Sequence, residues 1–402
     1  HFLRDSGPTA GAGNGSAMDF KALPPETQAA IRERQLAAKR RGKAEPPPPP
    51  APPHGDPEEG DRHPCRITSA EYFAACSGAL QDPNLSPTEA NVDLLLAVLS
   101  AGDERARKLG RFNYFMFAGT DREVWDPRFN ARLAYEGFFT ITTQRRGSRV
   151  PLPELQPFYS VLTWPNFERS KHVRKALGRI RRSSTKYTLA NCSDVSRTWA
   201  LLDGYHTRKY GSNWLTRGYM EMLKAASEDP AINFRLHCVE LYREDPPGAD
   251  KAAVEEEDGS RRSVDSRTSA TLAERRPLAG EIGFSVGRVY TSLSGWTEER
   301  TAEGLGTAQL ALLGRWLQQK GFAFWSLGHC YSPEMDYKRQ LGHRVYPRSD
   351  FLALLHKHRG RFDISRDAVP EDACCRFADG EVVEAASLLG RAEDAGAQSG
   401  NA

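Results

Sequence analysis

The sequence predicts an α/β (α+β) chain, with a helix-rich N-terminal part and a second part built on a central, mostly antiparallel, split sheet. Three observations carry that reading. Apolar residues recur at helical spacing in capped segments, strand-like runs come in glycine-separated pairs, and long polar stretches interrupt both. The 402 residues exceed what one compact domain needs, so two globular units with tails are expected. We expect a disordered Gly- and Pro-rich tail over 1–62 and an N-terminal α/β domain over 63–198. A second domain follows over 199–360, with a disordered insertion at 244–277, and then a C-terminal tail over 361–402.

Composition narrows the class. Lys and Arg number 55 against 52 Asp and Glu, a net +3 that does not by itself mark a nucleic-acid binder. Hydrophobic residues at 39%, beside 34 Gly and 26 Pro, are few for a wholly folded chain, in keeping with an unfolded tail and insertion. The longest apolar run, Leu94–Leu99, falls far short of the roughly 20 residues of a membrane span. No membrane partner is expected. Seven irregularly spaced cysteines without a CxxC support neither a disulfide framework nor a structural zinc site. A reducing, cytoplasmic setting and no metal follow as expectations. The sequence opens at His1 without an apolar segment, so a fragment or processed form lacking a secretory signal is expected.

The elements follow in order. The prolines at 46–50, 52 and 53 read as a stiff solvated linker, and the basic segment Ile31–Lys43 as part of the same tail, with a short basic helix as the alternative. Order is expected from about Arg66. Ser86-Pro87-Thr88-Glu89 reads as a capping box opening a helix whose core face is Val92, Leu95, Leu96 and Leu99. Asp126-Pro127 opens a second helix, with Phe129 and Leu133 inward and Gly137 as its stop. Phe138–Thr143 reads as a strand. Phe234–Tyr242 and Leu278–Val286 read as strands on either side of the polar insertion, since loop closure costs grow only slowly with length.

The densest basic stretch runs from Arg169 to Lys186, with eight Lys or Arg and no acid. Val173, Ala176, Leu177 and Ile180 form one apolar stripe of a helix. Lys171, Arg174, Lys175, Arg179, Arg181 and Arg182 are thereby driven to its remaining surface. Such a face repels itself and makes sense opposite phosphates, where each contact releases counterions. A second constellation is strand, glycine turn, amphipathic helix, strand: Arg288–Trp296, then Glu303–Leu317 with Leu305, Leu312, Leu313, Trp316 and Leu317 apolar, then Gly321–Leu327. Glycines 304 and 306 leave amides open at a helix start, where an anion can sit. Acetyltransferases of the GNAT class build their pyrophosphate loop this way, although Thr301 stands where they carry Gln or Arg. A third group, Glu334, Asp336, Tyr337 and Lys338, follows the last strand, a common place for catalytic groups in open sheets. On spacing alone, Asp336 as a helix cap and Tyr337 as packing are the simpler readings.

In this order the motifs resemble those of the leucyl/phenylalanyl-tRNA–protein transferases, from about Trp125 to Phe351. Ala134–Phe139 is similar to the family's Tyr-x-x-Gly-(Ile/Phe)-Phe turn, and Ser170–Arg182 to its tRNA-facing helix. Ser212–Thr216 is similar to Thr-Trp-Ile-Thr, whose tryptophan helps form the aminoacyl pocket. Ala279–Gly283 with Gly287–Tyr290 resembles the central hairpin, and Tyr337–Gly342 with Pro347–Phe351 the closing motif. The resemblance implies a GNAT-like second domain. It further implies transfer of Leu or Phe, with Met as a further candidate, from charged tRNA to protein N-termini that begin with a basic residue, an N-degron type modification. Aminoacyl-tRNA would be the co-substrate, with no separate cofactor, acting on a monomeric enzyme. The alternatives are a GNAT acyltransferase using acyl-CoA and a catalytically inactive tRNA-binding relative.

Departures redistribute the expected roles. The family's glutamate after the hairpin is Leu293 here, and its Asp-Cys-Gln is Ser326-Leu327-Gly328 or, in the ungapped register, Cys330-Tyr331-Ser332. His329–Pro333 reads as an insertion. Asp336, assisted by Glu334 and Ser326, is therefore expected to handle the proton, while Trp214, Leu293, Ser294 and Trp296 line the aminoacyl pocket.

Overall fold

A computed structural model of the protein describes residues 63–76, 78–145, 148–244, 275–298, 304–364 and 375–389. The expected N-terminal tail, the segment Ile31–Lys43, most of the 244–277 insertion, and Thr301 and Glu303 lie outside these residues. In chain order the elements begin with β1 (Ile67–Thr68), α1 (Ser69–Ala74), β2 (Ala79–Gln81), α2 (Glu89–Ser100), α3 (Glu104–Gly110), β3 (Tyr114–Met116) and α4 (Asp121–Val124). Next come α5 (Pro127–Tyr135), β4 (Phe139–Arg145), β5 (Ser148–Glu154), β6 (Phe158–Leu162), α6 (Trp164–Arg169), α7 (Lys171–Arg182), β7 (Tyr187–Asn191), α8 (Val195–Tyr210) and α9 (Arg217–Glu228). The remainder are β8 (Arg235–Arg243), β9 (Ala279–Val286), β10 (Val289–Thr297), α10 (Leu305–Gln319), β11 (Phe324–Ser326), β12 (Tyr331–Ser332), α11 (Asp336–Leu341), β13 (Arg344–Pro347), α12 (Arg348–His358), β14 (Val382–Glu384) and α13 (Ala385–Leu388).

The fold is α+β. Eight strands form the main sheet in the order β13-β6-β11-β10-β9-β8-β7-β14. Every neighbouring pair in it is antiparallel except β10 and β11, which are parallel and joined by the crossover helix α10. That pair meets only over Val289–Thr291 and Phe324–Ser326. Beyond it β10 continues along β9 to Thr297, with a bulge between Ser292 and Ser294, while β11 ends. The sheet therefore splits at Thr291 and Ser326. This split within a mostly antiparallel sheet is the architecture expected for a GNAT-like domain.

Helices cover both faces of the sheet. On one, the α7 stripe Val173, Ala176, Leu177 and Ile180 packs in one cluster with Leu312, Leu313, Trp316 and Leu317 of α10. On the other, Leu202 of α8 and Met220 and Leu223 of α9 join Ile282, Phe284, Leu293 and Trp296. Successive residues of β8 alternate between the two clusters, Cys238 in one and Val239 in the other. A strand buried on both faces shows no polar alternation, so burial reaches its charged residues too. A separate sheet, β2-β3-β5-β4, carries the core of Leu80, Val92, Leu95, Phe115, Phe129 and Leu133.

Several boundaries differ from the sequence reading for local physical reasons. Thr88, not Ser86, caps α2 by accepting from Asn91 N, so the helix starts after Pro87 and the Ser86 box does not form. Ser86 instead receives the Asn91 side chain. Strands β6 and β7 precede the 198/199 division yet pair in the main sheet with strands from beyond it. The expected tail after 361 returns as β14, antiparallel to β7 at the sheet edge, followed by α13. The expected insertion after His329 contributes β12, which pairs in parallel with β1.

The turn after α5 shows what its motif does. Glu136 is almost fully buried and, although burial opposes it, His356, Arg359 and Arg132 hold its carboxyl down to about 2. Tyr135 donates its hydroxyl to Gly360 O at 2.7 Å, so this turn clasps the end of α12. Gly342, closing α11, has φ +99°, and a Cβ there would lie 2.4 Å from the Asn166 carbonyl oxygen. Gly342→Ala is expected to lose roughly 2–4 kcal/mol in denaturant titration, through left-handed strain plus a backbone clash. Gly218→Ala, in the first turn of α9 with nothing within 4 Å, should change stability by less than about 1 kcal/mol in the same assay.

Candidate active site at the split in the sheet

Splitting a sheet leaves backbone groups and side chains of the two separated strands facing a shared gap. Here the gap is backed by a buried polar network. Glu281 of β9 is 2% exposed and accepts from Tyr290 hydroxyl at 2.9 Å and Ser292 hydroxyl at 3.0 Å. Trp325 of β11 donates its indole N–H to Ser292 Oγ at 2.8 Å, joining the two strands just where they part. Burial pushes the Glu281 carboxyl up to about 7, against the two hydroxyl donors and the nearby Lys338, which pull it down. Lys338 of α11 is likewise buried, and burial pushes its ammonium down to about 7. Its Nζ donates to the carbonyls of Leu327 and, at 2.7 Å, His329. Lys338 thus fixes the path of the chain leaving β11.

The four expected pocket residues lie around one apolar cluster. Leu293, in the bulge of β10, and Trp296 belong to its buried part with Phe139, and Trp214 packs against it. The Trp214 and Phe139 ring centroids are 5.6 Å apart. Asn213 brackets this turn by bonding both the N–H and the C=O of Leu215, and Thr142 hydroxyl donates to Trp214 O. Ser294 Oγ meets His206 Nε2 at 3.1 Å. Trp296 Nε1 is buried and has no hydrogen-bond partner among the described residues.

On the opposite face, α7 presents Lys171, Arg174, Lys175, Arg181 and Arg182 exposed and Arg179 half-buried. Ser170 caps the helix and ties it to Gln340 by donating to its carbonyl. Arg181 donates to Leu389 O at 2.6 Å. The start of α10 is Gly304, with φ +68° and no side-chain cap. The Arg179 guanidinium lies 3.5 Å from where a Cβ on Gly304 would stand. A bare helix start with a guanidinium beside it suits an anion.

Ser326 is buried at the end of β11, opposite Thr291, and borders a small cavity with Phe139 and Gly328. Asp336 is the first residue of α11 rather than its cap, which is Met335, and its carboxylate lies 3.7 Å from Arg339. Glu334 accepts the Ser69 hydroxyl at 3.0 Å. No hydrogen bond or ion pair among the described residues joins Asp336 or Glu334 to the pocket residues. The sequence patterns assign Glu281 no role, although a charged residue inside the strand-forming run Leu278–Val286 is a signal; Lys338, between Tyr337 and Arg339 in a polar helix, carries no such local signal. Among the described residues no group of three or more His, Cys, Asp or Glu could hold a metal ion, the six described cysteines are free, and no helix is long and apolar enough to cross a membrane.

No protein-family model matches the sequence, and no curated protein does. Among solved structures the chain is similar to FemX, with a TM-score of 0.33 and 12% identity, covering 48% of this chain and 60% of FemX. It is similar as well to the C-terminal domain of a candidate lysylphosphatidylglycerol synthetase from Agrobacterium fabrum (TM-score 0.31, 11% identity, 70% of this chain and 80% of that one). A protein of unknown function from Staphylococcus epidermidis gives 0.26 and 10%, over 67% and 86%.

The buried carboxyl makes a pH prediction. Folded Glu281 keeps its proton up to about 7, whereas in the unfolded chain it ionises near the ordinary 4.5. The unfolded state therefore releases that proton first, and the wild type loses stability as pH rises from about 4.5 to 7. Glu281→Gln removes this loss, so its stability relative to wild type should improve between pH 5 and pH 8 in urea titrations. Parallel pH profiles for the two proteins would contradict the assignment.

Proposed function

We propose that the chain is an aminoacyl-tRNA-dependent transferase that passes an amino acid, Leu, Phe or Met, to the N-terminal amine of a protein. The observation that carries this reading is a single arrangement. An exposed face of cations on α7 runs to the bare start of α10 on one side of the sheet, and an aromatic, apolar cluster lies at the split on the other. The ordered motif resemblance supports the same choice. Flexible cations hold phosphates by charge and spacing, which suits a tRNA body rather than a base sequence. Trp214, Leu293 and Trp296, with Ser294 at the rim, are assigned to the amino-acid side chain.

The chemistry sets a low bar. The ester of a charged tRNA is already activated, and an α-amine with a pKa of about 8 is substantially neutral near pH 7.5. The enzyme has to align amine and ester, stabilise the oxyanion and move one proton. No covalent intermediate is required. The uncapped glycine start of α10 favours one second reading, an acyltransferase using acyl-CoA.

Incubation with leucyl-, phenylalanyl- or methionyl-tRNA and a peptide beginning with Arg or Lys should give transfer. Acetyl-CoA turnover independent of tRNA would favour the second reading, and tight tRNA binding without transfer an inactive relative. Replacing Arg179 and Arg182 by Ala should weaken binding to many tRNAs alike and flatten the log–log salt slope by about 1–2. An unchanged slope would remove α7 from the interface. Trp214→Ala should reduce use of charged tRNA far more than binding of uncharged tRNA. Selection within the pocket should be broad, since one methylene is worth only about 1–3 kcal/mol. Equal losses of use and binding would mark Trp214 as structural.

A further inference from the structure

Glu154, the last residue of β5, has no solvent exposure, yet three side chains converge on its carboxylate. Asn113 Nδ2 lies 3.2 Å and Tyr72 hydroxyl 3.4 Å from Oε1, and His329 Nε2 lies 2.8 Å from Oε2. The carboxylate accepts from all three, so His329 carries its hydrogen on Nε2 and keeps the Nδ1 lone pair for another partner. No hydrogen bond from Nδ1 is found among the described residues, and the side chain is 21% exposed.

The position of this ring matters as much as its partner. His329 follows β11 by way of Gly328, whose carbonyl accepts from Ser160 N at 2.8 Å and whose φ of +70° turns the chain out of the sheet. Lys338 holds the carbonyls on either side of that glycine. The His329 ring centroid is 5.6 Å from that of Phe139, which is itself 5.6 Å from that of Trp214. An imidazole with one nitrogen on a buried carboxylate, and no hydrogen bond to the other among the described residues, thus stands one aromatic ring from the proposed aminoacyl pocket, packed edge-on against Phe139, Tyr72 and Tyr331. Asp336 and Glu334 have no comparable link to it.

We propose that His329 is the general base of aminoacyl transfer and that Glu154 is its positioning residue; the inference rests on the function proposed above. The neutral α-amine attacks the ester carbonyl carbon and a C–N bond forms. Nδ1 accepts one proton from that nitrogen. As the C–O bond to the ribose breaks, the imidazolium returns the same proton to the departing ribose oxygen. An amide and a free tRNA hydroxyl result, with no net gain or loss of protons. Glu154 stabilises the transient imidazolium through Nε2–H.

Single-turnover transfer from charged tRNA to a basic-N-terminal peptide tests this, with the full chain and three variants. His329→Ala should slow transfer by about 10²-fold or more, bind charged tRNA as the wild type does, and regain rate when imidazole is added. Glu154→Gln should slow transfer less than His329→Ala does and leave binding of charged tRNA as in the wild type, a loss in kcat without a matching loss in KM. Rates for His329→Ala close to wild type would overturn the proposal. So would equal loss of tRNA binding and transfer without rescue by imidazole, which marks a structural histidine. Loss in Asp336→Asn with full activity in His329→Ala would return proton handling to Asp336. A wild-type chain that transfers no amino acid from any of the three charged tRNAs fails before any variant is compared, and overturns the functional reading itself.

Discussion

The parallel pairing of β10 with β11 stops after three residue pairs, and the rest of the candidate site depends on that stop. Parallel neighbours require a crossover, here α10, whose first turn must therefore lie at the same end of the sheet as the gap. The bulge at Leu293 bends β10 away just beyond the last shared pair. One geometric event thereby brings a helix start without a side-chain cap, a gap in the sheet and the buried Leu293 side chain to one end of the domain.

Keeping such a gap open has a physical cost, and the polar network offsets it. Ser292 accepts from Trp325 across the split and donates to Glu281 within β9, so both strands remain tied as they diverge. Lys338 ties the outgoing chain from β11 by holding two carbonyls that no strand partner takes. Burying a carboxyl and an amine is expensive, and both respond by shifting toward their neutral forms. Glu136 answers the same cost in the opposite way. His356, Arg359 and Arg132 surround it and hold its carboxyl down despite burial. Burial alone therefore does not decide the charge state; the hydrogen bonds and charges around the group weigh against it.

What was legible in the sequence was what repeats locally. The α7 stripe and the inward face of α10 follow from a period of 3.6, and Asp126 caps its helix as its position implies. The expectation of an aminoacyl pocket rests on a resemblance carried by short, local motifs. Contacts that join distant elements were not legible. Glu154 and His329 are 175 residues apart in sequence, and no local pattern marks a histidine held by a buried carboxylate. Strand β12 has two residues, too few to show a period of 2, so it read as an insertion. Ser86 and Thr88 are both good caps, and only the tertiary path chooses between them.

Neither β10 nor β11 carries a carboxylate at the split, and the packing there shows why. Leu293 and Ser326 occupy positions that border the apolar cluster and the small cavity beside Phe139, where an ionised side chain would face the full cost of burial without a cation. The carboxylates at this end of the domain lie one shell further out, with Glu281 under β10 and Glu154 under the chain leaving β11. Each is hydrogen-bonded to a neighbouring side chain, Ser292 in one case and His329 in the other.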